Sequence, residues 1–452
     1  MKIVIVGAGR VGKQLARELA SHGHDLVMID RDKAVVSQIS ELYDITAIHG
    51  DASDVSVLQR AFGDGVDMLI AVSESDEVNL IVSLLARKMG AGTRIARIRH
   101  ESWFTEGRLS HEELGLDKVI YPERETVNHL VKVMGINGAF DYAEFAGGEV
   151  VLIGFDVAQE LPIVGHTLMD LREQFALDSF LIIGIYRDGV FTVPHGEDKL
   201  QGGDKVWLLA AKDTVPFIMP IFKHGVTGEE SVVIFGATRV GLALAEAMKK
   251  RFGEVTLIEN DPTVARLAAE QLEDVRVIRG GGEETDILKE IGQESINCFI
   301  AVSHDERMNL MSGLLAKRTG VDRVAVVTNE TEYMPVMEAM GLDVVANPLT
   351  LTAGAILRHI RQGIVHSVVK LHAGEAELIE YDVASGTPVA GKTLAEAKLP
   401  RGAVVGTILK GDATIIPDGS TILEVGSRVV VVATSEKIPE VEKLFVSKRL
   451  FF

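Results

Sequence analysis

The sequence IVIVGAGRVG at residues 3–12 decides the fold of this chain, because it recurs as VVIFGATRVG at residues 232–241. Five of the six residues from the first glycine of the motif to its last are identical in the two copies. The same offset of 229 (259 − 30) relates Asp30 to Glu259, and each of these residues ends an apolar run. A repeat this long indicates a duplicated domain rather than a solenoid unit of about 20–50 residues.

The first copy has the glycine pattern of a dinucleotide-binding turn. Gly7 permits a tight turn, Gly9 lets the backbone approach a pyrophosphate, and Gly12 allows close packing of a helix on a strand. The N-terminus of the following helix would offer backbone amides and the positive end of its dipole to the phosphates. The motif follows an apolar run and precedes a helical pattern, which is the context that this chemistry requires.

Apolar runs of strand length alternate with helical patterns through the first 140 residues. Runs such as MLIAV at residues 68–72 are apolar throughout, as in a parallel sheet covered by helices on both faces. The predicted strands are residues 2–6, 25–29, 45–49, 68–72, 94–98 and 119–120, with helices at 11–21 and 76–89 among those between them. The order returns with strands at residues 232–235, 255–258, 275–278, 298–302 and 324–327. We therefore predict an α/β chain with two Rossmann-like, doubly wound parallel sheets.

A small α+β module is predicted after each Rossmann domain. In the first, short strands at residues 150–157, 180–186, 190–193 and 206–211 are separated by turns such as RDG at 187–189. The stretch PIVGHTL at 162–168 recurs as PVAGKTL at 388–394, so the module is duplicated too. The predicted domains are residues 1–140, 141–225, 230–350 and 366–452, with a polar, glycine-containing linker at 223–230.

Composition excludes some classes of partner. The net charge of −19 over 452 residues argues against nucleic acid, which requires a basic face, and against broad adhesion to an anionic membrane. The single cysteine, Cys298, lies in an apolar run and cannot form an intrachain disulfide, which suits a reducing compartment. No signal peptide is recognisable, and the apolar runs are far shorter than the ~20 residues that span a bilayer. We expect a soluble, cytosolic protein with at most a peripheral role at a membrane.

Asp30 is the predicted ribose ligand of the first domain. It ends the second strand, where a carboxylate accepts hydrogen bonds from both ribose hydroxyls and repels a 2′-phosphate, so NAD or a plain adenine nucleotide is favoured over NADP. Glu259 offers the same group in the second domain. There, however, Thr238 replaces the middle glycine and puts a Cβ where the backbone should approach a phosphate. A tight turn without any ligand remains the alternative for each copy.

Arg10 and Arg239 occupy the same place in the two loops. A guanidinium at a helix N-terminus opposes the helix dipole unless an anion is near, so we expect a phosphate or an acidic partner there; the alternative is a solvated surface arginine. The sequence HGDAS at residues 49–53 follows the third strand, and its Asp51 and Ala52 are expected to close over the adenosine side of the ligand. Its counterpart RGGGE at 279–283 lacks the aspartate.

The fifth predicted strand makes the first pocket the more basic of the two. Arg97 and Arg99 end this strand, whereas Val326 and Thr328 stand at the corresponding positions of the second half. Surface arginines without a ligand are the alternative interpretation of this pair.

No catalytic or metal-binding set is predicted. His166, His195 and Asp198 are scattered candidates, and Lys392 and Asp418 replace the two histidines in the second half. A dehydrogenase needs a base beside a substrate pocket, and none can be assigned. Glu123 and Glu125 could hold a divalent ion, but carboxylates so placed more often cap a helix.

The chain resembles the TrkA family on the motifs GAGRVG and GATRVG, the acids Asp30 and Glu259, the HGDAS loop, the IARIR stretch at residues 95–99 and the two α+β modules. Members of this family are cytosolic nucleotide-binding regulatory subunits of Trk potassium uptake systems, built from tandem RCK (KTN) domains. The resemblance covers essentially the whole chain. It implies NAD(H) as ligand, with ATP or ADP as further candidates. It also places nucleotide contacts at Gly7, Ala8, Gly9, Arg10, Val11, Asp30, Ser73, Glu74 and Arg97, and in the second half at Glu259. The predicted site further includes Asp51 and Ala52 of the HGDAS loop and, in the second loop, Gly236, Thr238, Arg239 and Val240.

The resemblance further implies a homo-oligomeric ring, tetrameric for a duplicated chain, beneath a membrane-embedded TrkH-like subunit that translocates potassium. The leading hypothesis is therefore a non-enzymatic subunit, peripheral on the inner face of the membrane, that gates potassium uptake in response to nucleotide. An NAD-dependent oxidoreductase with an unrecognised catalytic site is the alternative. A nucleotide-sensing scaffold with a soluble partner is the third hypothesis.

Overall fold

The computed structural model describes most of the chain. The described residues are 1–20, 24–43, 45–104, 110–174, 180–222, 231–281, 296–360, 365–371, 375–411 and 413–445. Residue 21 of the first predicted helix, the predicted linker at 223–230, and residues 282 and 283 of the RGGGE stretch lie outside these ranges. The described residues form two units by their contacts: residues 1–127, 329–331 and 347–360 in one, and residues 128–328, 332–346 and 361–452 in the other.

The first unit is built on a six-stranded parallel sheet. Its strand order is β3-β2-β1-β4-β5-β6, which is the Rossmann order. The strands are β1 (Lys2–Val6), β2 (Asp25–Asp30), β3 (Thr46–His49), β4 (Met68–Ala71), β5 (Thr93–Arg97) and β6 (Lys118–Ile120). The helices between and after them are α1 (Arg10–Ala20), α2 (Lys33–Leu42), α3 (Val55–Phe62), α4 (Asp76–Lys88) and α5 (Pro122–Met134). Each predicted strand of this sheet is confirmed to within one residue.

Successive side chains of β1 lie on opposite faces of this sheet. Ile3 and Ile5 pack with α1 in one core cluster, while Val4 and Val6 pack with α3 and α4 in another. The first cluster also contains Ala353 and Ile356, which belong to a helix far along the chain, Pro348–Ile360. A helix that follows the second sheet in sequence thus completes the core of the first sheet.

The second parallel sheet repeats the first, with the order β14-β13-β12-β15-β16-β17. Its strands are β12 (Ser231–Phe235), β13 (Glu254–Glu259), β14 (Arg276–Arg279), β15 (Cys298–Ala301), β16 (Arg323–Val327) and β17 (Val344–Ala346). Its described helices are α8 (Arg239–Lys249), α9 (Pro262–Gln271), α10 (Glu306–Arg318) and α11 (Met334–Ala339); the labels α6 and α7 are kept for two helices of the first α+β module. The helix Pro348–Ile360, which packs on the first sheet, is α12. The predicted fold class, two doubly wound sheets, is confirmed.

Each α+β module contains a five-stranded antiparallel sheet. The first has the order β10-β9-β11-β8-β7 and the second the order β18-β19-β22-β20-β21. The first comprises β7 (Ala139–Phe145), β8 (Val150–Asp156), β9 (Phe180–Arg187), β10 (Val190–Thr192) and β11 (Lys205–Ala211), with α6 (Leu168–Gln174) and α7 (Val215–Phe222). The second comprises β18 (Val365–Leu371), β19 (Ala376–Asp382), β20 (Ala403–Lys410), β21 (Ala413–Ile415) and β22 (Arg428–Thr434), with α13 (Leu394–Ala397) and α14 (Ile438–Phe445).

The two antiparallel sheets share one core within the second unit. Leu152, Trp207 and Leu209 of the first module cluster with Leu378 and Val430 of the second. All five side chains are at most 2% exposed, so this face of each sheet is closed by the other module. None of the helices in the described part of the chain combines the length and apolar composition that crossing a bilayer requires.

Candidate nucleotide sites

The first glycine loop (residues 7–12) is the turn between β1 and α1. Steric contacts within the fold require glycine at two of its three glycine positions. Gly7 has a φ of +101°, and a Cβ there would lie 2.7 Å from the Ser73 backbone. A Cβ at Gly12 would overlap the Gly7 carbonyl oxygen. A Cβ at Gly9, by contrast, would meet no described atom within 4 Å. The fold therefore explains Gly7 and Gly12, whereas Gly9 keeps open space in front of the loop.

Asp30 lies at the end of β2, directly beside this loop. Its Oδ2 accepts the Ala8 amide at 2.6 Å, and its Oδ1 accepts the Asp32 amide at 2.8 Å. The carboxylate is half-buried and fixed in position by these two bonds. Because each carboxylate oxygen can accept more than one hydrogen bond, Asp30 retains capacity for ribose hydroxyls while it orders the loop.

The HGDAS loop joins the site through the backbone. The Gly50 amide donates to the Asp30 carbonyl at 3.0 Å, which places Asp51 and Ala52 just beyond the ribose carboxylate. Asp51 accepts the amide of Ser53 at 2.8 Å and its hydroxyl at 2.6 Å. These hydrogen bonds hold the pKa of Asp51 below its ordinary value, so this exposed carboxylate stays ionised. Ala52 is buried.

Asn79 organises the opposite side of the site. This fully buried amide accepts the Ser73 backbone amide at 2.9 Å and the Ser73 hydroxyl at 2.7 Å. Its Nδ2 donates to the carbonyls of Ser73 and Arg97, at 3.1 and 2.8 Å. One side chain thus ties the ends of β4 and β5 together beside the glycine loop. Glu74, next to Ser73, is exposed. Asn79 matches Asn309 in the internal repeat, and that match was the available signal for its role, which residue types alone did not reveal.

Arg97 is the half-buried cation of this edge. Its Nη1 lies 3.5 Å from the Ser73 carbonyl oxygen, at the limit of a hydrogen bond. Among the residues that the structure describes, its buried Nε has no hydrogen-bond partner. Burial, and then the neighbouring charge of Arg99, lower the pKa of the Arg97 guanidinium, while Glu123, Asp76 and Glu74 act in the opposite direction. A partly desolvated guanidinium with an unused donor favours an anionic ligand.

Arg10 has an acidic neighbour within the first unit. Its Nη2 lies 2.7 Å from Oε1 of Glu330, and its Nη1 donates to the Asn329 carbonyl at 3.4 Å. Both side chains are solvent-accessible, with 59% and 40% of their area exposed. A phosphate, an acidic partner and plain solvation are the alternatives that the sequence allows for Arg10. In the described residues, the carboxylate of Glu330 contacts it. Val11, the next residue, is buried under the first turn of α1.

The second glycine loop (residues 236–241) repeats the same internal geometry. Gly236 has a φ of +105°, and a Cβ there would lie 2.6 Å from the Ser303 backbone. Glu259 takes the place of Asp30: its Oε2 accepts the Ala237 amide at 2.8 Å and its Oε1 accepts the Asp261 amide at 2.9 Å. Asn309 accepts the Ser303 amide and hydroxyl at 2.9 and 2.7 Å, as Asn79 does for Ser73. The two loops therefore share the same carboxylate and asparagine geometry.

The second pocket differs where phosphate would lie. Thr238 caps α8, as its Oγ1 accepts the Gly241 amide at 3.1 Å. Arg239 is exposed at the first position of α8, and Val240 is half-buried after it. The structure corrects the sequence match of Arg97 with Val326 and of Arg99 with Thr328, because the fifth strands of the two sheets repeat at an offset of 230 (327 − 97). Asn309 donates to the Val327 carbonyl as Asn79 donates to the Arg97 carbonyl, so the buried, uncharged Val327 stands at the position of Arg97. Thr328, the next residue, donates to Glu306 at 2.7 Å. Among the described residues, this pocket lacks the paired cations of the first at these positions.

The remaining sequence candidates are His166, His195, Asp198, Glu123 and Glu125. The described part of the chain contains no group of three or more histidine, cysteine, aspartate or glutamate side chains arranged to hold a metal ion. Glu123 and Glu125 lie in the first turn of α5. His195 is placed near Asp198 by its backbone amide, which donates to the carboxylate at 2.7 Å.

Comparison with known proteins matches each of the four modules to a family model. The TrkA-N domain model matches residues 3–122 and 232–348, and the TrkA-C domain model matches residues 152–223 and 378–446. The Trk system potassium uptake protein TrkA of Azorhizobium caulinodans is 31% identical across 100% of both chains. The TrkA homolog of Archaeoglobus fulgidus is also 31% identical, over 98% of this chain and 100% of its own.

Two solved structures have a similar fold. The crystal structure of the GsuK RCK domain is 21% identical, with a TM-score of 0.57, and the match covers 98% of this chain and 94% of that one. The GsuK channel bound to NAD is 20% identical, with a TM-score of 0.58, covering 98% and 78%. At this level of identity the likeness concerns the fold.

Proposed function

Because the chain belongs to the TrkA family, whose two domain models match both of its halves, we propose that it is the nucleotide-binding regulatory subunit of a Trk potassium uptake system. In this proposal NAD(H), ATP or ADP binds at the first glycine loop, and binding controls a membrane-embedded subunit that translocates potassium. The chain is peripheral to the membrane through that partner. We further propose that residues 1–140, 141–225, 230–350 and 366–452 act as its four modules.

The observation that carries the proposal is the side chain of Arg97. A half-buried guanidinium whose Nε lacks a partner among the described residues lies at the same sheet edge as Asp30 and the open space at Gly9. Leaving a buried donor unpaired is costly, so an anionic ligand at this place would supply the missing acceptor. Asp30, fixed by the Ala8 and Asp32 amides, would then accept the ribose hydroxyls.

The relatives support the regulatory part of the proposal. The curated relatives are Trk system potassium uptake proteins, and a channel of similar fold has been seen with NAD bound. A subunit of this kind acts by population shift: a nucleotide that binds one arrangement of the assembly better than another moves the balance between them. The proposal therefore requires a partner and an assembly as well as a pocket.

The function is tested by reconstituting the chain with its membrane partner in vesicles. We expect rubidium or potassium uptake to respond to NADH, NAD, ATP or ADP only when this chain is present. Asp30→Ala should shift the nucleotide concentration for half-maximal response upward, while the matched variant Glu259→Ala should shift it little. A response that ignores nucleotide despite confirmed binding would contradict a gating role and favour the scaffold hypothesis.

The assembly and the absence of catalysis have their own measurements. Static light scattering should show a closed homo-oligomer, with a tetramer supplying eight Rossmann domains, because soluble assemblies usually close by point-group symmetry. Small-angle scattering should change on addition of the activating nucleotide. Sustained oxidation of NADH with a small-molecule substrate, followed by absorbance, would instead support the oxidoreductase alternative.

A further inference from the structure

The second glycine loop is closed by its own side chain. The Thr238 hydroxyl donates to the Val302 carbonyl at 2.9 Å, and its oxygen accepts the Gly241 amide at 3.1 Å. Thr238 has φ −71° and ψ 172°, the extended conformation of a helix N-cap. One half-buried hydroxyl therefore satisfies a donor of the first turn of α8 and an acceptor at the end of β15.

The first glycine loop cannot be closed in this way. Gly9 stands where Thr238 stands, and it has no side chain to accept an amide from the first turn of α1. A Cβ at Gly9 would meet no described atom within 4 Å, so the difference is not forced by crowding within the fold. A phosphate at a helix N-terminus binds through the same amides that an N-cap side chain uses. The hydroxyl of Thr238 and a phosphate are therefore alternatives at one place.

The other residues of the second pocket resemble those of the first beside the carboxylate and differ from them on the side where a phosphate would lie. Glu259 holds the Ala237 and Asp261 amides as Asp30 holds their counterparts, so the ribose side is intact. The position of Arg97, however, carries Val327, which is buried and uncharged. A phosphate in this pocket would have to displace the Thr238 hydroxyl, which would leave the Val302 carbonyl without that donor. It would also have to bind without a cation at position 327.

We propose that Thr238 is the specificity-determining residue of the second pocket, and that it excludes the pyrophosphate of a dinucleotide and the phosphate chain of ADP or ATP. The intact chain then binds one such nucleotide, at the first glycine loop. This inference rests on the proposed function, because it assumes that the first pocket takes the nucleotide.

The test is the stoichiometry of NADH and ADP binding to the full chain, by titration calorimetry. We expect one nucleotide per chain for the wild type and two for Thr238→Gly, with Thr238→Gly/Glu259→Ala returning to one. Thr238→Ser retains a cap hydroxyl and should stay at one. The reciprocal variant Gly9→Thr installs the cap in the first loop, where space allows it, and should weaken NADH binding by at least about tenfold. Circular dichroism and melting temperature establish that each variant is folded.

Two nucleotides on the wild-type chain, or one on folded Thr238→Gly together with unchanged affinity in Gly9→Thr, would overturn the inference. Those results would leave the first pocket, and with it the proposed function, intact. No binding of NADH, NAD, ADP or ATP to the wild type would overturn the proposed function itself.

Discussion

The two Rossmann domains share the residues that shape the glycine turn and tie the strand ends together. They differ at positions that the fold itself leaves free. Gly7 and Gly236 both have positive φ and lie against a serine backbone. Asn79 and Asn309 tie two strand ends together with the same hydrogen bonds. The differences lie at the open edge, where Thr238 replaces Gly9 and Val327 replaces Arg97. This difference is the reason for proposing that the nucleotide binds at the first edge.

Two arginines at the starts of the fifth strands show how the copies diverge in structure as well. Arg94 donates locally, to the carbonyls of Ala91, Gly92 and Gly115 and to Asp117. Arg323 is the first residue of β16, matches Thr93 in the strand register and is 5% exposed. It donates to the carbonyls of Val133, Met134 and Ala139, at and beyond the end of α5. A cation at a helix C-terminus is favourable in itself, and here it also fixes α5 to the second sheet.

The largest expected effect separates these two arginines. Arg323→Met leaves carbonyl acceptors in a buried site, and each unsatisfied group costs about 1–3 kcal/mol, so we expect a loss of roughly 3–5 kcal/mol in stability. Arg94→Met, the matched control, leaves acceptors that are partly exposed to water and should cost about 1–2 kcal/mol. Denaturant unfolding of both variants measures the difference, and amide exchange in the last turn of α5 localises it. Equal losses would show that the buried contacts of Arg323 with the end of α5 add nothing to stability.

The next effect concerns the two ribose carboxylates. Asp30→Ala removes acceptors for the ribose hydroxyls, at a cost of about 1.5–3 kcal/mol for hydrogen bonds to a charged group, which is roughly a 10- to 150-fold weaker Kd. Glu259→Ala, its geometric twin, should change the affinity of the intact chain for NADH less than about twofold. Both affinities come from titration calorimetry. A large loss in Glu259→Ala would mean that the second pocket carries the measured binding.

Sequence reasoning found the sheets because their strands are apolar runs punctuated by loop signals. It missed β7 and β17, and it expected the strands of the second α+β module only through the repeat. The sequence AFDYAEF of β7 is half-buried along its middle and mixes charge with aromatic residues, so it has no clear period, while β17 has only three residues. The role of α12 could not be read either, since its apolar face fits the first sheet, far away in sequence. The sequence interpretation of Thr238 considered only that its Cβ obstructs the approach of a phosphate. Threonine immediately before a helix is also an N-cap signal, and that signal predicts its hydrogen bond with the Gly241 amide.

A third prediction tests the cation at the first edge. Arg97→Gln keeps some hydrogen-bonding capacity but removes the charge, so ADP and NADH should bind about tenfold more weakly if one charge-assisted contact is lost. The loss should shrink at high salt, because the wild-type contact is then screened and the variant has little charge to screen. Val327→Met is the control at the matching position, since it adds no charge and should leave binding unchanged. An affinity of Arg97→Gln equal to that of the wild type at every salt concentration would remove Arg97 from the site.

The smallest expected effect concerns Glu330, whose carboxylate lies 2.7 Å from Arg10 at the N-terminus of α1. An exposed ion pair of this kind is worth about 0.2–1 kcal/mol, so a phosphate that needs Arg10 competes with a weak internal anion. Glu330→Gln should therefore tighten ATP and NADH binding by roughly 1.5- to 5-fold at low salt. In an Arg10→Ala background the same substitution should have no effect, and this double-mutant cycle distinguishes competition for Arg10 from a general change in surface charge. An equal gain in both backgrounds would show that Glu330 acts on the ligand by long-range repulsion. No gain in either would show that Arg10 is not needed by the phosphate.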